Sequence, residues 1–181
     1  MNTPFSKFLV LALILSFGAA SRAADQPAAK TENVAPTPAA AKVIEQLADG
    51  TVSLHARDVT IHGTTVRYEP QPHKNTIGYW SKVNDWVSWD FKLSKPGKFS
   101  VVMLQGCGKG SGGSEYTISV GDQVLKDVVP DTGAFSNFVS RIVGTIELKT
   151  EGPFTLSVKP QTKPGVAVMD LRLITLQPVA K

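Results

Sequence analysis

From Val52 to the end of the chain, short runs alternate apolar and polar residues and are separated by Gly, Pro, Asp and Asn. This rhythm constrains the fold more than any other feature, because a period of two puts one face of an extended segment in a core and the other in water. VSLHA places Val52, Leu54 and Ala56 on one side, and DWVSWDFKL places Val87, Trp89, Phe91 and Leu93 opposite Trp86, Ser88, Asp90 and Lys92. KPGK, residues 95–98, reads as a turn that makes KFSVVML the hairpin partner of the strand before it. EYTISV aligns Tyr116, Ile118 and Val120, and Gly121-Asp122 turns the chain into QVLKDVV. VGTIELK, PFTLSVK and VAVMDLRLITL complete the series, the last with Met169, Leu171 and Leu173 facing away from Asp170 and Arg172. About eight or nine short strands with no long helix between them exclude a parallel βαβ sheet and predict an all-β fold, an antiparallel sandwich or barrel. The domain is expected to run from residue 50 to residue 178.

The first 49 residues have a different character. Lys7 precedes the apolar run Phe8 to Phe17, and small residues follow to Ala24, the layout of a signal peptide over residues 1–23 with cleavage near Ala23. The run is roughly half of the ~20 residues that a membrane-spanning helix needs, so no membrane anchor is expected. Cys107 is the one cysteine. It is far from any cleavage point, which excludes a lipid-modified N-terminal cysteine, and it has no partner for an internal disulfide. The expected address is secreted or periplasmic. Cleavage removes Lys7 and Arg22 but no acid, lowering the formal charge from +4 to +2, too small an excess to argue for nucleic acid. Residues 24–49 read as an Ala/Pro-rich linker, with a short helix over Ala39 to Asp49 that carries Val43, Ile44 and Leu47 on one face and stops at Gly50.

Trp80, Trp86 and Trp89 are the only tryptophans. Trp89, between Val87 and Phe91 on the apolar side of its strand, is expected in the core. Trp86 falls on the polar side, and Trp80 lies in a connection rich in Gly, Ser, Asn and Asp. Each of these two either plugs the end of the sandwich or presents a flat apolar plate that suits the CH face of a sugar.

Gly78-Tyr-Trp80, Asp85-Trp-Val-Ser-Trp-Asp-Phe91, Pro96-Gly-Lys-Phe-Ser-Val101, Gly113-Ser-Glu-Tyr116, Thr132-Gly-Ala-Phe135 and Met169-Asp-Leu-Arg-Leu173 follow one another in an order that resembles galactose-binding-like jelly rolls. The pattern is similar to carbohydrate-binding modules of the family six type and to the domains found beside secreted bacterial sulfatases and fucosidases. The resemblance spans Val52 to Pro178. It implies a non-catalytic module that holds a poly- or oligosaccharide at one end of a β-sandwich, in some cases with a structural calcium and beside a secreted glycan-degrading enzyme. Carried over by position, the ligand-binding candidates are Tyr79, Trp80, Trp86, Phe135 and Asn137. Phe135 stands where these modules usually have tryptophan, and His55 and Ala56 stand where a first-strand glutamate is common. For a metal, Asp170 fits the last-strand aspartate and Glu69 substitutes for the missing acid, although a hard cation wants six to eight oxygens. A surface position or a pairing with Arg172 is the structural alternative for Asp170.

Residues 106–114, GCGKGSGGS, match G-x-G-x-x-G as text, but Met103 and Gly110 break a phosphate-loop pattern and EYTISV, a strand, follows in place of a helix. The stretch is expected to be a flexible connection, with Cys107 a buried thiol lacking a base. His55, His62 and His73 lie in separate segments without metal-ligand spacing, and His73 reads as a solvated turn residue. No G-x-S-x-G or H-E-x-x-H motif is present. Glu69 and Asp90 are a carboxylate pair only if folding joins them. Two functions from different classes follow: a secreted, non-enzymatic carbohydrate-binding module, or an extracellular interaction module that recognises protein with the same aromatics.

Overall fold

The computed structural model describes residues 42–180; the expected signal peptide and most of the expected linker lie outside them. Twelve strands follow in order: β1 (Ile44–Glu45), β2 (Val52–His55), β3 (Thr60–His62), β4 (Arg67–Glu69), β5 (Thr76–Gly78), β6 (Trp86–Leu93), β7 (Gly97–Cys107), β8 (Glu115–Val120), β9 (Gln123–Val128), β10 (Ala134–Leu148), β11 (Gly152–Pro160) and β12 (Asp170–Pro178). One sheet has the order β1-β6-β11-β8-β9, with β3 also on β6. The second has the order β10-β7-β12-β5-β4, with β2 also on β12. All pairings but β1 with β6 are antiparallel, so the architecture is the β-sandwich that the alternation predicts. Among the described residues, no helix is long and apolar enough to cross a membrane.

The core between the sheets is built by the predicted faces. Val87, Trp89, Phe91 and Leu93 of β6 and Tyr116, Ile118 and Val120 of β8 are buried against Phe99, Val101 and Met103 of β7. Trp89 keeps its polar edge satisfied, its Nε1 donating to His55 O at 2.8 Å; burial of a side chain that large is worth several kcal/mol by area. Gly121 turns β8 into β9 with φ +58°, a left-handed position that glycine takes without cost.

Three local expectations fail. The KPGK turn does not close a hairpin: β6 pairs with β1, β3 and β11, whereas β7 pairs with β10 and β12, so the turn carries the chain from one sheet to the other. On β12, Leu171 is buried but Leu173 is only half-buried, and Ile174 and Leu176 are in the core. A register shift against β7 between Leu171 and Leu173 inserts one extra residue and inverts the alternation. Finally, the described part of the expected helix is not helical, because Ile44–Glu45 pairs with Phe91–Lys92 along the edge of β6 and packs Ile44 against the core. An unsatisfied sheet edge and an apolar patch outcompete a short helix of low intrinsic stability.

Candidate functional site

The loops after β3, β5, β7, β9 and β11 gather at one end of the sandwich. Two of them are clamped by Asp85. Its carboxylate accepts bonds from Thr64 N (3.1 Å), Thr65 N (2.8 Å), Thr65 Oγ1 (2.7 Å) and Val66 N (3.0 Å). These donors hold the carboxyl at about 2, below its ordinary 3.8, against the opposing effect of burial. Gly63 is required beside it, since a Cβ there would overlap the Asp85 carboxyl.

This frame decides the fate of the two suspected tryptophans. Trp80 is fully buried. Its Nε1 donates to Asp85 O at 2.8 Å and its carbonyl accepts from Val168 N at 2.8 Å, so it plugs the end of the core and is no ligand plate. Trp86 is half-buried on the outer face of its sheet. His62 stacks on it at 3.5 Å and 5°, and the Lys159 ammonium lies 4.2 Å from its ring centre. His62 comes from β3 and Lys159 from β11, which flank β6 on opposite sides, so both faces of the indole are covered. His62 Nε2 also shares a hydrogen bond with Ser88 Oγ at 2.8 Å. Burial, reinforced by Lys159 and opposed by Asp90, lowers the His62 pKa and favours the neutral ring.

Tyr79 is the most exposed of the candidate rings. It is 55% exposed and sits at φ +53°, a left-handed conformation that costs a bulky residue about 1–3 kcal/mol and is concentrated at functional sites. The Arg67 guanidinium lies 3.4 Å from the ring centre, and among the described residues no carboxylate is within ion-pair distance of Arg67. Thr64, Thr65, Ser81, Val166 and Ala167 complete a groove of about 450 Å³ around them. Lys82 Nζ donates to Thr64 Oγ1 at 2.9 Å, adding a second cation to the rim. The groove thus offers a planar ring, a fork of N–H donors without an acid, and hydroxyls. A larger groove, about 620 Å³, is at the opposite end and offers no exposed ring, since its one aromatic residue, Phe99, is buried.

The other candidates are elsewhere. Phe135 is half-buried, its ring filling the space that a Cβ on Gly108 would need, and Asn137 Nδ2 donates to Thr132 O at 2.6 Å. Strands β10 and β5 stand three positions apart in their sheet, on the order of 14 Å, so Phe135 and Tyr79 do not share one pocket. The glycine-rich connection is tied down: Asp131 accepts from Gly110 N and, at 2.7 Å, from Gly133 N, so a carboxylate of the chain itself occupies the amides that a phosphate would want. Cys107 is buried and its thiol is pushed up to about 11, by burial first and then by Asp131 and Asp170, which fits an inert thiol. Glu69 and Asp90 are on different sheets, Asp90 accepting from Thr155 Oγ1 at 2.6 Å.

Glu69 and Asp170 do meet, but around an ammonium. Lys74 Nζ stands 3.4 Å from Asp170 Oδ2 and 3.6 Å from Glu69 Oε2. Asp170 is buried, not on the surface, and it is not bridged to Arg172, whose Nε and Nη2 donate to the carbonyls of Lys74 and His73. Burial raises the Asp170 carboxyl to about 6 despite Lys74. Sequence patterns did not reveal Arg67, Lys74 or Asp85, because each acts through a contact distant along the chain or through a turn.

No family model and no curated protein matches this chain. Among solved structures, it resembles a family 35 carbohydrate-binding module from Clostridium thermocellum, with TM-score 0.56 and 12% identity, over 71% of this chain and 98% of that one. The C-terminal CBM6 of a marine laminarinase from Zobellia galactanivorans gives TM-score 0.53 and 17% identity over 70% and 98%. A GH26-CBM35 mannanase from Podospora anserina gives 0.56 and 18%, but this chain covers 74% of itself and only 28% of that enzyme. At these identities the likeness defines the fold: the jelly roll of the carbohydrate-binding modules.

Proposed function

We propose that this protein is a secreted, non-catalytic carbohydrate-binding module that takes an acidic glycan, one bearing carboxylate or sulfate, in the Tyr79–Arg67 groove. The observation that carries this is the strained, exposed Tyr79 under an Arg67 guanidinium that no acid among the described residues neutralises. A sugar ring packs its CH face on Tyr79 while its anion takes the guanidinium fork in a bidentate pair. The fold shared with carbohydrate-binding modules and the signal-peptide pattern of residues 1–23 support the reading. A separate secreted glycan-degrading enzyme is the natural partner for a module of this kind.

The test is retention on immobilised neutral, uronic and sulfated glycans. Tyr79→Ala and Arg67→Met should each weaken retention of the anionic glycans at least tenfold; a tenfold loss is about 1.4 kcal/mol. Unchanged retention in both variants would remove the site, and retention of none of the glycans by the parent protein would remove the function.

A further inference from the structure

The resemblance that suggests calcium points to the neighbourhood of Asp170 and Glu69, and the residues there do not suit that ion. Calcium needs six to eight oxygens at 2.3–2.6 Å. Among the described residues, no group of three or more His, Cys, Asp or Glu side chains converges on one point. The nearby carbonyls of His73 and Lys74 already accept from Arg172, at 2.9 and 2.7 Å. Yet the place is built for positive charge. Gly78 leaves room for it: a Cβ there would overlap Glu69 Oε2 and lie 3.1 Å from Asp170 Oδ1. The two carboxylates come from β4 and β12, on opposite sides of β5, so a cation between them ties three strands together.

We propose that the Lys74 ammonium is a built-in replacement for a divalent cation, which makes this jelly roll independent of calcium. The ammonium reaches both carboxylates from the turn between β4 and β5. Arg172 fixes that turn through its bonds to residues 73 and 74, and its own positive charge lies close enough to act on Asp170. One fixed cation, Lys74, therefore stands between the carboxylates where a divalent ion would, with Arg172 holding its turn, and neither can be lost to a chelator. The inference is independent of where, or whether, a glycan binds.

The experiment compares the full chain with Lys74→Ala, by thermal unfolding in chelator and in 10 mM calcium. The parent melting temperature should change by less than about 1 °C. Lys74→Ala frees both carboxylates for a weak site whose remaining oxygens are waters: it should melt lower in chelator, then regain about 3–6 °C in calcium with saturation near millimolar concentration, the range of weak extracellular sites. Adding Asp170→Asn to Lys74→Ala should abolish that gain. Should Lys74→Ala not fold in chelator, its refolding yield with and without calcium gives the same answer. Stabilisation of the parent protein by calcium would overturn the proposal. So would a Lys74→Ala variant whose stability or refolding yield is indifferent to calcium.

Discussion

Adjacent aromatics at positions 79 and 80 have opposite roles, and Trp80→Phe separates them. Trp80 is fully buried and gives one hydrogen bond, 2.8 Å, to the Asp85 carbonyl. Phenylalanine removes part of the ring, which costs about 1–2 kcal/mol in transfer and cavity energy, and it orphans a buried acceptor, which costs about 1–2 kcal/mol more. The sum, roughly 3 kcal/mol, should lower the melting temperature by roughly 10 °C for a domain of this size. Glycan retention, measured well below the transition, should persist. For Tyr79→Gly the order reverses. Relief of the left-handed strain offsets the lost Arg67 contact, leaving stability within about 1 kcal/mol while retention disappears. A Trp80→Phe protein of parental stability that no longer holds the glycan would refute the assignment of Trp80 to the core.

Three further outcomes follow from individual contacts. The Asp85 carboxyl, near 2 in the fold against 3.8 ordinarily, contributes about 2 kcal/mol that is fully present above about pH 5 and is lost as pH falls through about 2; denaturation across that window should show the slope, and Asp85→Ala should flatten it. Cys107, buried with its thiol near 11, should resist thiol reagents at pH 8 in the native protein and react at once in denaturant. Trp86→Ala should leave glycan retention unchanged, measured on the same resins, because His62 and Lys159 already cover both faces of the ring; a loss of retention would move the site to the sheet face.

The faces of β6 and β8 were legible in the sequence because each strand keeps a strict period of two over a half-buried surface. The partner of β6 was not: turn chemistry at KPGK is local, whereas the choice of sheet depends on β10, β11 and β12, all more than 35 residues away in sequence. The β12 inversion was hidden for a related reason, since a bulge is set by pairing and leaves no mark in hydropathy. Trp80 misled because its neighbours Ser81, Lys82 and Asn84 are polar, while the contact that buries it runs to Asp85 and Val168. Tyr79 was visible as an aromatic in a loop. Arg67, its partner in the groove, is 12 positions away on β4 and carries no motif. Glu69 and Asp170 were found as a pair, but the turn that reads as a solvated QPHKN loop hid the lysine placed between them.

The most direct test of glycan binding in the Tyr79–Arg67 groove is backbone amide NMR of the labelled protein, titrated with a uronic oligosaccharide, a sulfated one and a neutral one. Saturable shifts confined to Thr64 to Arg67, Tyr79 to Ser81 and Val166 to Ala167, seen with an anionic glycan and not the neutral one, are the predicted result. Shifts centred on His62, Trp86 and Lys159, or no shifts with any of the three, would contradict it.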